Sequence, residues 1–214
     1  FVFAAETMLD FMGQIRDAAG IVLNELNLGG GFGIRYVEQD KPKAYGEYMR
    51  LVSAAVKERA KKLNLPVPYL VIEPGRSVVA SAGITLYTVG GIKNIPGIRS
   101  YVSVDGGMPD NPRYALYKSS YITVIANKAD QPADFEFTIA GRCCESGDLI
   151  QENAKLQSCQ RGDIMAVLAT GAYNYSMSSN YNRLPRPAVV MVNKGESRVV
   201  VKAENYDDIV RNDV

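Results

Sequence analysis

Apolar residues recur along the first third of the chain at two alternating spacings. Met8, Phe11, Met12, Ile15 and Ala19 fall three and four positions apart, which predicts an amphipathic helix from Thr7 to Ala19 with these residues on one face. A short strand is expected through Glu25 to Leu28, ending on Gly29, Gly30 and Gly31. Pro42 is expected to open a second helix, in which Ala44, Tyr48, Leu51, Val52, Ala55, Val56 and Arg59 keep the period as far as Leu63. Tyr69 to Ile72 reads as a further apolar strand that stops at Glu73-Pro74-Gly75-Arg76. Helix, strand, helix, strand, with each strand running into a glycine-rich or polar loop, is the pattern of an α/β barrel or a doubly wound sheet. Both folds gather active-site residues at those strand ends.

Past Gly83 the spacing shortens. Ile84 to Val89, Tyr101 to Val104, Ile122 to Ile125 and Phe135 to Ile139 are β-rich and partly alternating, which predicts a second, mostly β domain. Val189 to Val192 and Arg198 to Val201, joined through Asn193-Lys194-Gly195-Glu196, read as a late hairpin, and Tyr206 to Arg211 as a terminal helix. The expected division is therefore 1–83 for the α/β part and 84–214 for the β part.

Composition narrows the classes of function. With 47% hydrophobic and 22% charged residues over 214 positions the chain has the make-up of a globular protein, and a formal charge of +1 gives no basic footprint for nucleic acid. No apolar run reaches the ~18 residues needed to cross a bilayer, and the first residues lack the basic region of a secretory signal, so no membrane partner and a cytoplasmic location are expected. Three cysteines, two of them adjacent, fit neither a disulfide framework nor a metal knuckle, and a reducing compartment is the simplest setting. Histidine is absent, which excludes Ser-His-Asp and Cys-His catalysis within the chain and removes the commonest metal ligand; no metal is expected.

Four segments carry candidate chemistry. Three glycines after a strand let the backbone approach an anion and aim N–H groups at it, although glycine is equally the ordinary turn residue. Glu73-Pro74-Gly75-Arg76 sets an acid and a base at the next strand end, or makes a surface turn with an exposed ion pair. Cys143-Cys144-Glu145-Ser146-Gly147-Asp148 brings thiols and two carboxylates into one turn, or forms an exposed loop beside an inert cysteine. Gly171-Ala172-Tyr173 and the polar residues from Ser176 to Asn182 follow directly on the apolar run Ile164 to Leu168, where a tyrosine could also simply pack.

Taken in order with Val104-Asp105-Gly106-Gly107, Arg113 to Tyr117, and Asn182 with Arg186-Pro187, these segments resemble the fold-type III pyridoxal-phosphate decarboxylases. That group includes diaminopimelate, ornithine and some arginine decarboxylases. The resemblance implies the C-terminal portion of an α/β (TIM-type) barrel followed by a mostly β, barrel-like domain. It implies pyridoxal 5'-phosphate as cofactor, with Gly29, Gly30, Gly31, Gly75 and Arg76 receiving the phosphate, Tyr173 adding a hydroxyl, and Glu73 facing the pyridine nitrogen. Arg76, Arg113, Tyr117, Glu145 and Tyr173 would bind a small amino-acid substrate. Cys144 would act catalytically in the site of a neighbouring subunit, so at least a homodimer with shared active sites is implied. Arg113 and the Cys144-Glu145 pair favour meso-diaminopimelate, decarboxylated to L-lysine, over an ornithine- or arginine-type substrate; an inactive homologue serving as a binding or regulatory partner is the remaining alternative.

The family's cofactor-holding lysine and ring-stacking histidine have no counterpart here, and Lys57, Lys61 and Lys93 read as solvated surface charges. The chain is thus expected to be part of a longer protein and inactive alone, with Met8, Phe11 and Ile15 left exposed and prone to association.

Overall fold

The computed structural model describes residues 1–214 and divides into two compact units, one of residues 1–35 with 39–79 and the other of residues 36–38 with 80–214. In the first unit, helix α1 (Val2–Ala19) leads to strand β1 (Glu25–Asn27), helix α2 (Tyr45–Lys62) and strand β2 (Tyr69–Val71), with a single-turn helix α3 (Arg76–Val79) after it. The strands pair in parallel, Leu26 opposite Leu70. Ala5, Leu9 and Met12 from α1 meet Val52, Val56 and Ala60 from α2 over Leu26 and Leu65, forming the core of this unit. Arg59 donates to both carboxylate oxygens of Asp10, at 2.6 and 2.7 Å, and pins the two helices along one edge.

Helix α1 starts at Val2 rather than at the expected Thr7, and of the apolar face read from the sequence only Met12 is buried. The buried stripe of α1 is Ala5, Leu9 and Met12, whereas Met8 and Phe11 are 42% and 53% exposed. Both stripes have helical spacing, and the one that faces α2 and β1 is buried. Helix α2 begins at Tyr45 rather than Pro42, because Ala44 takes an extended conformation (ψ 150°) and its carbonyl accepts the Glu47 and Tyr48 N–H groups.

The second unit is built on a six-stranded sheet. Strands β3 (Ile84–Ile95) and β4 (Arg99–Val104) form a hairpin, helix α4 (Arg113–Tyr117) follows, and β5 (Thr123–Ile125), β6 (Phe135–Ala140), β7 (Leu149–Leu156) and β8 (Ile164–Leu168) complete the order β5-β8-β3-β4-β6-β7. All pairs are antiparallel except β4 with β6. Strand β3 is long enough to serve two neighbours, β8 along its first half and β4 along its second, with a bulge at Gly90-Gly91. A Cβ on Gly90 would come within 2.9 Å of the Ser103 hydroxyl, so the bend needs glycine there.

The sheet is curled into a nearly closed barrel around Val89, Val102, Val104, Ile139, Ile150, Leu156, Met165 and Val167. Side chains bridge its two edges. Gln151 on β7 accepts the Tyr121 N–H just ahead of β5, and Gln157 accepts the Ile125 N–H, each at 2.9 Å. These glutamines supply acceptors where no ladder partner exists. A short helix α5 (Asn174–Met177) follows β8, then the hairpin of β9 (Val189–Asn193) and β10 (Glu196–Val201), whose Lys194 and Gly195 both have positive φ, and helix α6 (Tyr206–Val210), closed by an Asn205-Asp208 capping box. No helix is long and apolar enough to cross a membrane.

Candidate functional site

In the first unit the three glycines and the Glu73 turn are locked together by backbone. Glu73 N–H donates to the Gly29 carbonyl at 2.8 Å, and Leu28 N–H to that of Val71 at 2.9 Å, so the parallel pairing continues into both loops. Gly29 and Gly31 take positive φ (67° and 96°), and a Cβ on Gly30 would lie 2.5 Å from the Glu73 carbonyl. Asn27, at the end of β1, accepts the Gly29 N–H and donates to Glu73 Oε1 at 2.5 Å, which fixes the direction of that carboxylate. Arg76 Nε is buried and has no hydrogen-bond partner. A glycine turn open to close backbone approach, with an unsatisfied guanidinium N–H at the next strand end, fits a phosphate-bearing group.

In the second unit the structure brings Arg113, Tyr117 and Tyr173 together. Arg113 opens α4, is 6% exposed, and is enclosed by aromatic rings: its guanidinium carbon lies 5.4 Å from the ring centre of Tyr36, 5.6 Å from Tyr117 and 5.9 Å from Tyr173. Its terminal nitrogen reaches the Ser119 hydroxyl at 3.4 Å, and its Nε has no partner. A buried cation held by ring faces retains most of its capacity for an anion. Tyr173 itself stands in the left-handed region (φ 66°), a conformation that costs a bulky residue roughly 1 to 3 kcal/mol and is typical of functional sites.

Cys144 and Glu145 sit on a separate loop, between β6 and β7, and both are exposed. Hydrogen bonds from Gly147 N–H, and then from the Tyr181 hydroxyl at 3.3 Å, hold the Glu145 carboxyl below its ordinary range. The adjacent Cys143 differs sharply, because burial, reinforced by the Asp148 carboxylate, pushes its thiol up to about 12. Of the pair, Cys144 is the one open to solvent.

Several residues of these sites carry no sequence signal of their own. Tyr36 reaches Arg113 from a loop far upstream, and Asn27 orients Glu73 across the strand pair. Asn111 and Asn174, both almost fully buried, hold amide nitrogens without partners near the Tyr121 hydroxyl, which donates to Asn111 Oδ1 at 3.3 Å. Within the Arg113 cage, the spacing of Arg113 and Tyr117 by one helical turn is the signal that joins two of its residues in the sequence. The lysines at 57, 61 and 93 are exposed. The three cysteines are free thiols, and no cluster of ligating side chains suits a metal ion.

Residues 9–171 match the family described as pyridoxal-dependent decarboxylase, C-terminal sheet domain. The diaminopimelate decarboxylase of Bacillus subtilis (strain 168) is 51% identical over 214 residues, covering 100% of this chain and 49% of its own length. That of Staphylococcus aureus (strain COL) is 48% identical over 195 residues, 91% of this chain and 46% of its own. Among solved structures, diaminopimelate decarboxylase from M. jannaschii in co-complex with L-lysine matches with a TM-score of 0.90 at 30% identity, covering 100% of this chain and 48% of its own. The enzyme from Helicobacter pylori complexed with L-lysine matches at 0.83 and 28% identity, covering 98% and 49%. The chain spans about half the length of the curated relatives it matches.

Proposed function

Because this chain belongs to the pyridoxal-dependent decarboxylases, we propose that the complete protein of which it is part removes carbon dioxide from meso-diaminopimelate to give L-lysine, with pyridoxal 5'-phosphate as cofactor. The first unit is the end of an α/β barrel on this reading, and the second supplies substrate-binding and subunit-interface residues. When bound, the cofactor supplies the electron sink for the carbanion left as carbon dioxide departs. Gly29, Gly30, Gly31, Gly75 and Arg76 would hold its phosphate, and the resemblance implies a further hydroxyl contact from Tyr173. Glu73, aimed by Asn27, keeps the ring nitrogen protonated. Cys144 delivers the proton that replaces the lost carboxylate and Glu145 holds the distal amine, both in the site of a second copy, which makes the working unit at least a homodimer.

The observation that carries this reading is Arg113. Ornithine and arginine end in a cationic group, whereas diaminopimelate ends in an amine and a carboxylate. A buried guanidinium with an unpartnered Nε, ringed by Tyr36, Tyr117 and Tyr173, has a use for that carboxylate and repels a bare cation. The L-lysine in the solved relatives is the product this reaction yields.

Replacing Arg113 by Ala in the complete enzyme is expected to lower kcat/KM for diaminopimelate by about 2 to 4 kcal/mol of transition-state stabilisation, because a buried charged contact loses one side. Steady-state carbon dioxide release measures it, with ornithine as the comparison substrate. An Arg113→Ala enzyme that keeps its kcat/KM for diaminopimelate shows that the guanidinium does not read the substrate.

A further inference from the structure

The loop bearing Cys144 and Glu145 is exposed, yet both of its ends are fastened through one buried residue, Asp148, by its carboxylate on one side and its backbone on the other. Asp148 is 3% exposed. Its Oδ1 accepts the Met108 N–H at 2.6 Å and its Oδ2 accepts the Cys143 N–H at 2.7 Å. Its own backbone closes the loop from the other side: Asp148 N–H donates to the Glu145 carbonyl at 3.1 Å, and the Asp148 carbonyl accepts the Gly141 N–H at 2.8 Å. Arg142 N–H donates to the Gly106 carbonyl at 3.0 Å, so the loop and the turn after β4 run side by side.

That turn leads directly to the substrate residue of the same unit. The Gly107 carbonyl accepts the Asn111 N–H at 2.8 Å, and Asn111 is followed after Pro112 by Arg113. Glycine stands on both sides of the Asp148 carboxylate for a steric reason, since a Cβ on Gly107 would come within 2.4 Å of it and one on Gly141 within 2.2 Å. The pocket therefore admits a planar acceptor with two oxygens and little else. An asparagine of the same shape would present an NH2 group to one of the two N–H donors, leaving a buried donor unsatisfied.

We propose that Asp148 is a positioning residue for decarboxylation: one carboxylate fixes the Cys144-Glu145 loop, which serves the site of a second copy, in register with the turn that carries Arg113, which serves this chain's own site. The proposal rests on the reading above, in which Cys144 delivers the proton and Glu145 holds the distal amine. Asp148 touches neither substrate nor cofactor. It acts by setting where those two side chains stand, so its removal matters only while they are present.

The test uses the complete, cofactor-loaded enzyme with Asp148→Asn, and with Gly141→Ala as a second variant that crowds the carboxylate from the opposite side. Amide hydrogen exchange, followed by mass spectrometry, is expected to rise about 10-fold or more in peptides covering 105–112 and 141–149 while those from β8 keep their protection. Turnover of diaminopimelate is expected to fall about 30-fold or more in the otherwise unaltered enzyme, and by less than about 3-fold when the change is made on a Cys144→Ala, Glu145→Gln background, since coupled residues are non-additive. Unchanged exchange in either peptide overturns the proposal, and so does an equal loss of turnover on both backgrounds, which marks a structural effect unconnected with the loop. Should the background variant itself turn over normally, the roles given to Cys144 and Glu145 fall, and the clamp is judged on exchange alone. If Asp148→Asn does not fold, Gly141→Ala carries both readouts.

Discussion

Asp110 lies three residues before Arg113 and shows how the same turn is tuned at the scale of single groups. Its carboxylate accepts hydrogen bonds from the Tyr87 hydroxyl and, at 3.1 Å, from the Gly107 N–H. Burial nonetheless outweighs both and, with Asp148 and Asp105 adding repulsion, raises the carboxyl from 3.8 to about 6. A folded-state value above the unfolded one means that the folded protein binds the extra proton, so this group's favourable contribution is present below 3.8 and is lost as pH rises through about 6. Asp110→Asn cannot titrate, and the decline in its denaturation midpoint between pH 4 and pH 6 is expected to be shallower than that of the parent; parallel profiles for the two proteins contradict the assignment. Arg113, Tyr117, Cys144, Glu145 and Tyr173 were legible as site candidates because their local motifs mark them. Tyr36, Asn27 and the Asn111-Asn174 pair were not, because each acts across the fold on a partner distant in sequence, and an isolated tyrosine or asparagine has no spacing to read.

Among the elements, the sheet of the second unit depends on two side chains to close its seam. Ile125 is fully buried and its N–H has Gln157 as acceptor. Gln157→Met keeps the volume but removes the oxygen, and is expected to cost about 1 to 3 kcal/mol in urea unfolding, the range for an orphaned buried donor. A change below about 0.5 kcal/mol indicates that the seam is held by apolar packing alone. Strand β7, which carries Gln151, was missed in the sequence because Leu-Ile-Gln-Glu-Asn-Ala-Lys-Leu is too polar to stand out. Its alternation becomes visible only once Ile150, Ala154 and Leu156 are seen to face the core, with Asn153 at positive φ breaking the regularity. Helix α1 misled in a different way. Its end at Ala19 was read correctly and its start was read too late, at Thr7 instead of Val2; a pattern with two apolar stripes does not say which one meets α2, and Ala5 and Leu9 join Met12 in the core where Met8 and Phe11 were expected beside it. The late hairpin was readable, by contrast, since Lys194-Gly195 supplies the two positive-φ positions that a two-residue turn requires.

At the scale of the molecule, the first unit holds the glycine turn with Glu73 and Arg76, and the second the Arg113 cage and the exposed Cys144-Glu145 loop. The family was legible because these short motifs keep their order along the chain, whereas the geometry that gives them meaning lies in contacts no motif encodes. The proposed choice of substrate rests on an arginine buried among tyrosines. The most direct measurement is carbon dioxide release by the complete enzyme, loaded with pyridoxal phosphate, from meso-diaminopimelate, ornithine and arginine under identical conditions. A kcat/KM for diaminopimelate at least about 100-fold above the other two is expected from a site that leaves a buried cation unpaired when the distal carboxylate is missing. Equal or faster release from ornithine or arginine contradicts it.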